Sequence, residues 1–534
     1  MISSQGPLST KAGKAIFEKG GNAVDAAIAV SFALSVERPQ STGLGGGGFL
    51  LLKHPQKKEP YAFDFREMAP MASYEKMYLD EGDQEIKGKS LNGPLSSAVP
   101  GLVAGLIAIH KQFGKLPLKV VMAPAIEMAE KGIILYPHLA KAIEAKKNIL
   151  GQYPSSQKIF FKKGRPLRRG ETLIQKDLGK TLRIISRQGH RGFYQGIVAK
   201  KIALENQKAG GIISQKDLFS YKVRHRKPVK GTFKGHDIFS MGPPSSGGIH
   251  ILQILNILEK DPLKKLGFGS PQAIHLISSA MQMAFVDRAR YLGDEDFVEV
   301  PTQKLISKEY AKSLRQKIDP LKAKNFEGAK EKTAFPYESD ETTHFTIMDS
   351  TGMVLSSTQT INGWMGSGFV VEGTGILLNN EMDDFATKVG AKNLFGAIGG
   401  EKNLITPKKR PLSSMSPTII LKDSKPFLAL GTPSGTRILT CVAQTILNYI
   451  SFEKGLFESV SATRFHHQWF PDEIRMGSAP FSAETIKGLK NMGYKIRQRP
   501  LGCKVQAISV EGDLLHGVSD PRGEGLSLGE SMTF

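Results

Sequence analysis

The feature that most constrains this chain is an abrupt change of pattern near residue 342. Between 316 and 341 the hydrophobic periodicity is lost in a stretch rich in Lys, Glu, Asp and Pro, which is typical of an exposed, mobile linker. From Thr342 onward, apolar and polar residues alternate through THFTIMD, a short turn STG, and MVLSSTQT. Two alternating runs joined by a turn predict a β-hairpin that begins directly after the linker.

Helical periodicity dominates the sequence before the linker. Apolar residues recurring at intervals of three and four predict mainly helical structure in 9–36, 102–150, 171–209 and 250–315. Ser9 and Asn22 are the expected N-caps in the first of these stretches. A glycine-rich turn at 41–48 contains four consecutive glycines, which indicates a backbone that passes very close to a neighbour.

A second hairpin is expected over 416–431, after the first. It leads into the loop Thr432-Pro433-Ser434-Gly435-Thr436 and then an apolar helix, Ile438–Tyr449. The first N–H groups of a helix have no partner inside the helix, so this loop is a candidate site for an anion or oxyanion.

Composition indicates a globular protein with a substantial core, since 40% of its 534 residues are apolar. At roughly 150 residues per domain the length suggests three or four domains, although one large layered fold also fits. The net charge of +22 would suit a polyanion partner, but almost all of it lies before residue 342 and no nucleic-acid motif accompanies it. We therefore expect a solvated basic face, concentrated around 151–250, and no nucleic-acid partner.

Two cysteines, Cys441 and Cys503, are too few for a disulfide framework or a Cys-type metal site, and whether they pair stays open. The longest uncharged stretches are shorter than the roughly 20 residues of a membrane span. No signal peptide begins at Met1. Neither a span nor a leader is therefore expected in this chain.

Several kinds of catalysis lack their sequence signature. His466 and His467 are adjacent and no HExxH spacing occurs, so we expect neither a metal nor a cofactor. A GxSxG elbow and a P-loop are also absent. Hydroxyl side chains are instead frequent after Thr342, although any single Thr or Ser there also suits a strand or a turn.

Thr342 is the candidate nucleophile. A cut in an exposed linker just before it would free an α-amine, which can act as the base for the hydroxyl of the same residue. That chemistry requires an exposed linker that ends at a Thr, followed by a hairpin, and the sequence contains these features in that order.

Long blocks of the sequence resemble the gamma-glutamyltransferase (glutathione hydrolase) family. They include ETTHFTIMD, TQTINGWMGSGFVVEGTGILLNNEMDDF, KKRPLSSMSPTII and GTPSGTRI after the linker. Before it stand GGNAVDAA at 20–27, FREMAP at 65–70, AVPGLVAG at 98–105, PPSSGG at 243–248 and DRARYLGDEDFVEVP at 287–301. The blocks run nearly end to end and in order.

The resemblance implies an α+β fold, a four-layer αββα sandwich of the N-terminal-nucleophile hydrolase type. It implies a precursor that cuts itself between Glu341 and Thr342 into a large subunit, 1–341, and a small subunit, 342–534, within one composite fold. Thr342 would then attack the γ-amide of glutathione or a related gamma-glutamyl compound. The glutamyl group would pass to water or to an amino-acid or dipeptide acceptor.

The same resemblance implies roles for individual residues. Thr360 would hydrogen-bond the nucleophile, Thr343 would support it, and the backbone N–H groups of Ser434 and Gly435 would form the oxyanion hole, where Gly-Gly is commoner in the family. The substrate's α-carboxylate would be held by Arg66, Ser413 and Ser414. Its α-ammonium would be held by Asn362, Glu381 and Asp384. Phe395 would close a lid over the pocket, in the glycine-rich stretch between Phe385 and Pro411.

Two rival functions stay open at this point. One is a cephalosporin-type acylase with the same nucleophile, which would have no need of the groups for an α-amino acid head. The other is a non-catalytic homologue that binds polyanions through the basic face. The beginning of the chain resembles mature family members already under way, so we expect an export signal upstream and a periplasmic or secreted enzyme.

Overall fold

The hairpin predicted from Thr342 forms the middle of an antiparallel sheet. In the computed structural model, which describes residues 1–324, 342–477, 479 and 481–529, its strands are Thr343–Met348 and Val354–Thr360. Thr343 lies opposite Gln359 and Met348 opposite Val354. Every residue of both strands is buried, so neither face of the hairpin is exposed to solvent, despite the alternation of apolar and polar residues.

The polar face of this central hairpin lies inside the protein, where hydrogen bonds satisfy it. The His344 ring contacts the hydroxyls of Thr358 and Thr346, at 2.8 and 3.1 Å. Ser356 donates to the carbonyl of Leu430 in a second sheet, 3.1 Å away. Buried polar groups are tolerated because they are paired in this way.

Two antiparallel sheets face each other. The first contains seven strands in the spatial order Leu526–Leu528, Ile2–Ser4, Thr343–Met348, Val354–Thr360, Gly47–Lys53, Tyr61–Phe65 and Arg224–Arg226. The second contains six strands in the order Leu514–Ser519, Gln506–Glu511, Lys425–Gly431, Thr418–Lys422, His236–Ser240 and Val229–Phe233. The hairpin predicted over 416–431 is thereby confirmed.

Helices cover the outer face of each sheet. Those packed in the core beside the first sheet are Pro7–Glu18, Ala23–Glu37, Leu102–Phe113, Leu118–Lys131, Lys176–Gln188 and Gly196–Lys208. Those beside the second are Gly247–Leu258, Pro271–Tyr291, Lys308–Arg315 and Arg437–Ile446. The succession helix, sheet, sheet, helix confirms the predicted four-layer αββα sandwich.

The other described α-helices are short. They are Pro137–Ala145, Lys147–Leu150, Pro154–Phe160, His190–Tyr194, Gln215–Ser220, Leu263–Leu266, Thr302–Leu305, Leu456–Ser461 and Ala483–Asn491. None of the described helices has the length and hydropathy that crossing a membrane requires.

The first helical stretch follows the sequence in one cap and departs from it in the other. The Asn22 side chain accepts from the backbone N–H of Asp25, and the backbone N–H of Asn22 donates to the Asp25 carboxylate. This capping box starts a fully buried helix. Ser9, in contrast, is not an N-cap. The helix begins at Pro7, because proline fits a first helical position, and Ser9 donates to Glu37 from inside it.

The expected cut between Glu341 and Thr342 involves a residue outside the described part of the chain, as does most of the expected linker. The described residues on both sides of it share one sheet. Strand Ile2–Ser4 pairs with Thr343–Met348, and Gly47–Lys53 pairs with Val354–Thr360.

Cys441 and Cys503 form a disulfide, which settles the question that the sequence left open. It joins the helix Arg437–Ile446 to the segment leading into strand Gln506–Glu511, across a sequence separation of 62 residues. Both cysteines are buried. The bond therefore ties the loop at the start of that helix to the second sheet.

Replacing both cysteines by alanine should lower the free energy of unfolding by roughly 4 kcal/mol, the loss expected for opening a closed loop of this length. Denaturant unfolding of the wild-type and double-variant proteins, each with and without dithiothreitol, measures it. The reductant should destabilise the wild type alone; an equal effect on both proteins would contradict the prediction.

Candidate active site

The central hairpin brings two threonines together at its open end. Thr342 precedes the first strand and Thr360 ends the second, and their hydroxyl oxygens lie 3.1 Å apart. The Thr360 oxygen also accepts from the backbone N–H of Asn362, at 2.9 Å. A hydroxyl has one proton and two acceptor positions, so Thr360 can still either donate to or accept from the hydroxyl of Thr342.

The glycine-rich turn packs against the same end of the hairpin. A Cβ atom on Gly46 would overlap the backbone carbonyl of Thr360. This confirms that the run of glycines marks a close backbone approach, and explains why residue 46 has no side chain.

Backbone conformation at the site is unusual. Thr342, Asn362 and Ser434 have φ values of 85°, 69° and 107°, in the region that favours glycine. Such conformations cost about 1–3 kcal/mol each and persist where the surrounding structure enforces them. Their concentration around Thr342 is characteristic of a functional site.

Arg66 lies at the centre of a buried charge cluster. Its guanidinium is 1% exposed and donates to Glu381, to Asp384 at 2.5 Å and to the carbonyl of Pro411 at 3.3 Å. Glu67 lies 3.5 Å from the same guanidinium. One cation is thus surrounded by three carboxylates.

Burial controls the protonation of this cluster. It raises the pKa of Glu381 and of Glu67, against the lowering effect of the Arg66 charge. Burial also acts to lower the pKa of Arg66, but the neighbouring carboxylates outweigh it and the pKa of Arg66 is raised. Arg66 therefore stays charged, and Glu381 and Glu67 hold protons more readily than exposed glutamates do.

Ser413 and Ser414 present hydroxyl groups to the same pocket. The Ser413 oxygen accepts from the backbone N–H of Met415 at 3.1 Å, and the Ser414 oxygen accepts from Arg288 at 3.3 Å. Neither hydroxyl donates a hydrogen bond to a described residue. Both protons are therefore available to an incoming acceptor, such as a carboxylate.

The loop before helix Arg437–Ile446 supplies backbone donors. Within the described part of the chain, the N–H groups of Ser434 and Gly435 form no hydrogen bond. Two adjacent free N–H groups beside a hydroxyl nucleophile are what an oxyanion hole requires.

Phe395 covers this loop. Its buried ring lies against Gly435, where a Cβ atom would overlap it. Two residues earlier, Asn393 donates to Asp384 at 2.8 Å. The stretch between Phe385 and Pro411 therefore contacts both the charge cluster and the loop.

The structure gathers most of the expected residues around one pocket. Its lining includes Arg66, Thr342, Thr360, Asn362, Glu381, Asp384, Phe395, Ser413, Ser414 and Gly435. Thr343 and Ser434 do not line it with their side chains, and the hydroxyl of each is buried without a hydrogen-bond partner among the described residues.

Sequence reasoning missed two polar residues of this pocket, Arg288 and Asn393. Arg288 stands in the DRARYLGDEDFVEVP block and Asn393 in the expected lid, but nothing in their spacing assigns either to the site. No group of His, Cys, Asp and Glu suited to a metal ion occurs in the described ranges.

Comparison with known proteins identifies the family. The sequence model of the Gamma-glutamyltranspeptidase family matches residues 9–529. The chain is 44% identical over 524 residues to a glutathione hydrolase proenzyme of Escherichia coli (strain K12), covering 98% of this chain and 90% of that one. This chain belongs to the gamma-glutamyltranspeptidase family.

Solved structures agree with the family. A gamma-glutamyltranspeptidase of Helicobacter pylori is 44% identical, with a TM-score of 0.58, and covers 59% of this chain and 90% of its own. A cephalosporin acylase of Bacillus halodurans is 26% identical, with a TM-score of 0.85, and covers 98% and 94%. The predicted N-terminal-nucleophile hydrolase type of fold is confirmed.

Ser434 provides a test of backbone strain in this member of the gamma-glutamyltranspeptidase family. Ser434→Gly and Ser434→Ala both remove the buried hydroxyl, but only glycine relieves the positive φ. We expect the glycine variant to be more stable than the alanine variant by about 1 kcal/mol. Both should keep their turnover, because either variant retains the backbone N–H that would serve as the oxyanion donor. Denaturant unfolding and initial rates measure the two effects, and equal stabilities would contradict the prediction.

His344 should make stability depend on pH. Burial lowers its pKa to about 3, so below pH 6.5 the unfolded chain binds a proton that the folded protein does not. The stabilisation is complete above pH 6.5 and is lost toward pH 3, by about 1.4 kcal/mol per pH unit.

Replacing His344 by Gln should therefore flatten the fall of the unfolding free energy between these pH values. The control is His516→Gln, which makes the same substitution at an exposed position. A slope unaltered by His344→Gln would contradict the prediction.

Proposed function

We propose that this chain is a gamma-glutamyl hydrolase and transferase that uses Thr342 as its nucleophile. The observation that carries the proposal is the Thr342–Thr360 hydroxyl pair at 3.1 Å, in a pocket lined by both charges of an amino-acid recognition site. The substrate would be glutathione or a related gamma-glutamyl compound, in keeping with the name of the Escherichia coli relative. No cofactor takes part in the proposed reaction.

Maturation is the first proposed step. The hydroxyl oxygen of Thr342 attacks the carbonyl carbon of Glu341, the C–N bond breaks, and an ester forms with release of the Thr342 α-amine. Water then hydrolyses that ester. The products are a large subunit, 1–341, and a small subunit, 342–534. The proenzyme name of the Escherichia coli relative supports this order.

Turnover repeats the same chemistry on the substrate. Thr342 attacks the γ-carbonyl carbon while its α-amine takes the hydroxyl proton, and the oxyanion that forms is held by the N–H groups of Ser434 and Gly435. The leaving amine takes the proton as the C–N bond breaks. Water, an amino acid or a dipeptide then attacks the glutamyl ester and frees Thr342.

Recognition of the glutamyl head uses opposite charges. Its α-carboxylate would lie near Arg66, Ser413 and Ser414, and its α-ammonium near Asn362, Glu381 and Asp384. In the protein without substrate, Arg66 is already paired with Glu381 and Asp384. A zwitterion can replace part of this pairing, because its carboxylate would bind Arg66 in place of a protein carboxylate, and its ammonium would bind the carboxylate that is released.

The covering position of Phe395 supports its proposed role as a lid residue, and Thr343 would support the nucleophile through the backbone of the central hairpin. The disulfide supports export to an oxidising compartment, periplasmic or extracellular, since disulfides persist there.

The deciding experiment is a denaturing gel of purified protein followed by N-terminal sequencing of the smaller band. We expect fragments corresponding to 1–341 and 342–534, with Thr at the new terminus. Thr342→Ala should abolish both the cut and the hydrolysis of L-γ-glutamyl-p-nitroanilide, because alanine has no nucleophile. Thr342→Ser is the matched control and should retain both, at reduced rates. An uncut chain with full activity would contradict the mechanism.

The acylase alternative is separated by substrate choice. Glutaryl-p-nitroanilide has the same acyl length as the glutamyl compound but lacks the α-ammonium. Because the pocket supplies Asp384 and Glu381 for an ammonium, we expect kcat/KM to favour the glutamyl substrate by at least about tenfold, the value of one charged hydrogen bond. Equal values would favour an acylase, and cleavage of neither substrate would favour the non-catalytic alternative.

A further inference from the structure

A second buried arginine lies in the candidate site. Arg288, in the last turn of helix Pro271–Tyr291, is 6% exposed and lines the same pocket as Thr342 and Arg66. Its Nε donates to the Ser246 hydroxyl at 3.1 Å and its Nη2 to the Ser414 hydroxyl at 3.3 Å. It forms an ion pair with no carboxylate among the described residues.

The two arginines therefore differ in charge balance. Arg66 is paired with Glu381 and Asp384, whereas Arg288 has only neutral hydroxyl partners. Burial lowers the pKa of Arg288 to about 10, so it is still charged at neutral pH. The charge of Asp384 acts to raise this pKa and so offsets part of the cost of burial, but Asp384 forms no ion pair with Arg288. An anion that enters the pocket can therefore add to the compensation of this buried cation.

Arg288 also fixes the direction of the serine hydroxyls. A guanidinium donates hydrogen bonds and accepts none, so the oxygens of Ser246 and Ser414 must accept from it. Ser246 then donates to the carbonyl of Ser413, at 2.9 Å. Ser414 has no such acceptor among the described residues, and its proton is left for a ligand in the pocket.

A second contact holds the serine pair in place. The backbone N–H of Ser246 also donates to the Ser413 carbonyl, at 2.9 Å, and Ser413 N–H donates to the carbonyl of Pro244, at 2.8 Å. The PPSSGG segment at 243–248 thus supports Ser413 from behind, while Arg288 joins that segment to Ser414.

We propose that Arg288 is a positioning residue for the α-carboxylate of the gamma-glutamyl substrate. It orients the Ser414 hydroxyl as a donor. It also adds positive charge to the pocket, where the charge of Arg66 is already offset by carboxylates of the protein. This inference rests on the proposed function. It assigns a role to two sequence blocks, at 243–248 and 287–301, that the nucleophile chemistry does not use.

The test compares ligands that differ in one charged group. L-glutamate, glutarate and 4-aminobutyrate are measured as competitive inhibitors of L-γ-glutamyl-p-nitroanilide cleavage; glutarate lacks the α-ammonium and 4-aminobutyrate lacks the α-carboxylate. For Arg288→Met we expect the inhibition constants of L-glutamate and glutarate to rise about 10- to 100-fold, the range for hydrogen bonds to a charged group. The constant for 4-aminobutyrate should stay within about threefold, since it lacks the group that Arg288 serves.

Kinetics give an independent readout. The carboxylate contact is present in both ground and transition states, so Arg288→Met should raise KM and leave kcat nearly unchanged. In an Arg288→Met/Ser414→Ala protein, the rise in KM should be smaller than the product of the rises in the two single variants, because the hydroxyl through which Arg288 acts is gone.

Arg288→Lys keeps the cation but cannot reach both serines, and it is the second variant if the methionine protein does not mature. We expect it to weaken L-glutamate more than 4-aminobutyrate, by a smaller factor than methionine does. An equal loss for all three inhibitors, or none, in whichever variant matures would overturn the proposal. Wild-type protein that does not cleave the anilide would instead overturn the proposed function.

Discussion

The pairing of strand Thr343–Met348 with its two neighbours is the constraint on which the rest of the structure depends. On one side lies Ile2–Ser4 from the beginning of the chain, and on the other lies Val354–Thr360. This pairing fixes where residue 342 leaves the sheet, and therefore where its hydroxyl meets that of Thr360. The same sheet end receives the glycine-rich turn, so nucleophile, partner and backbone support derive from one register.

Charge balance in the pocket follows from burial. Several acidic and basic groups share a space with little water, and each can be charged only if a neighbour compensates it. Arg66 has its compensation within the protein, in ion pairs with Glu381 and Asp384. Arg288 forms no ion pair with a described residue and is compensated only through space, by the charge of Asp384. A ligand with one charge of each sign can satisfy such a pocket without changing its net charge. Its specificity can thus be understood from electrostatics as much as from shape.

Local patterns in the sequence predicted individual elements, and the four-layer fold itself was predicted from the family resemblance. Alternation predicted both hairpins, and the glycine run predicted a close backbone approach, because these features depend on neighbouring residues. The family resemblance supplied the pocket residues. Arg288 was missed because its role depends on contacts with Ser246 and Ser414, which only the folded chain brings together.

The disulfide and the first helix cap were also decided by interactions that the sequence pattern does not show. The pairing of Cys441 with Cys503 depends on packing between a helix and a distant segment, so two cysteines alone left it open. Ser9 was a plausible cap, but proline two residues earlier already provides a helix start. In each case a tertiary or competing local interaction decided what composition could not.

The interleaved sheet has a consequence for any form of the protein cut before Thr342. The disulfide lies entirely after that point, so it would not link the two pieces. They would be held by backbone hydrogen bonds on both sides of the central hairpin and by a common core, with no separable interface. Such pieces would resemble one folded molecule with a nick, and dilution alone would not be expected to dissociate them.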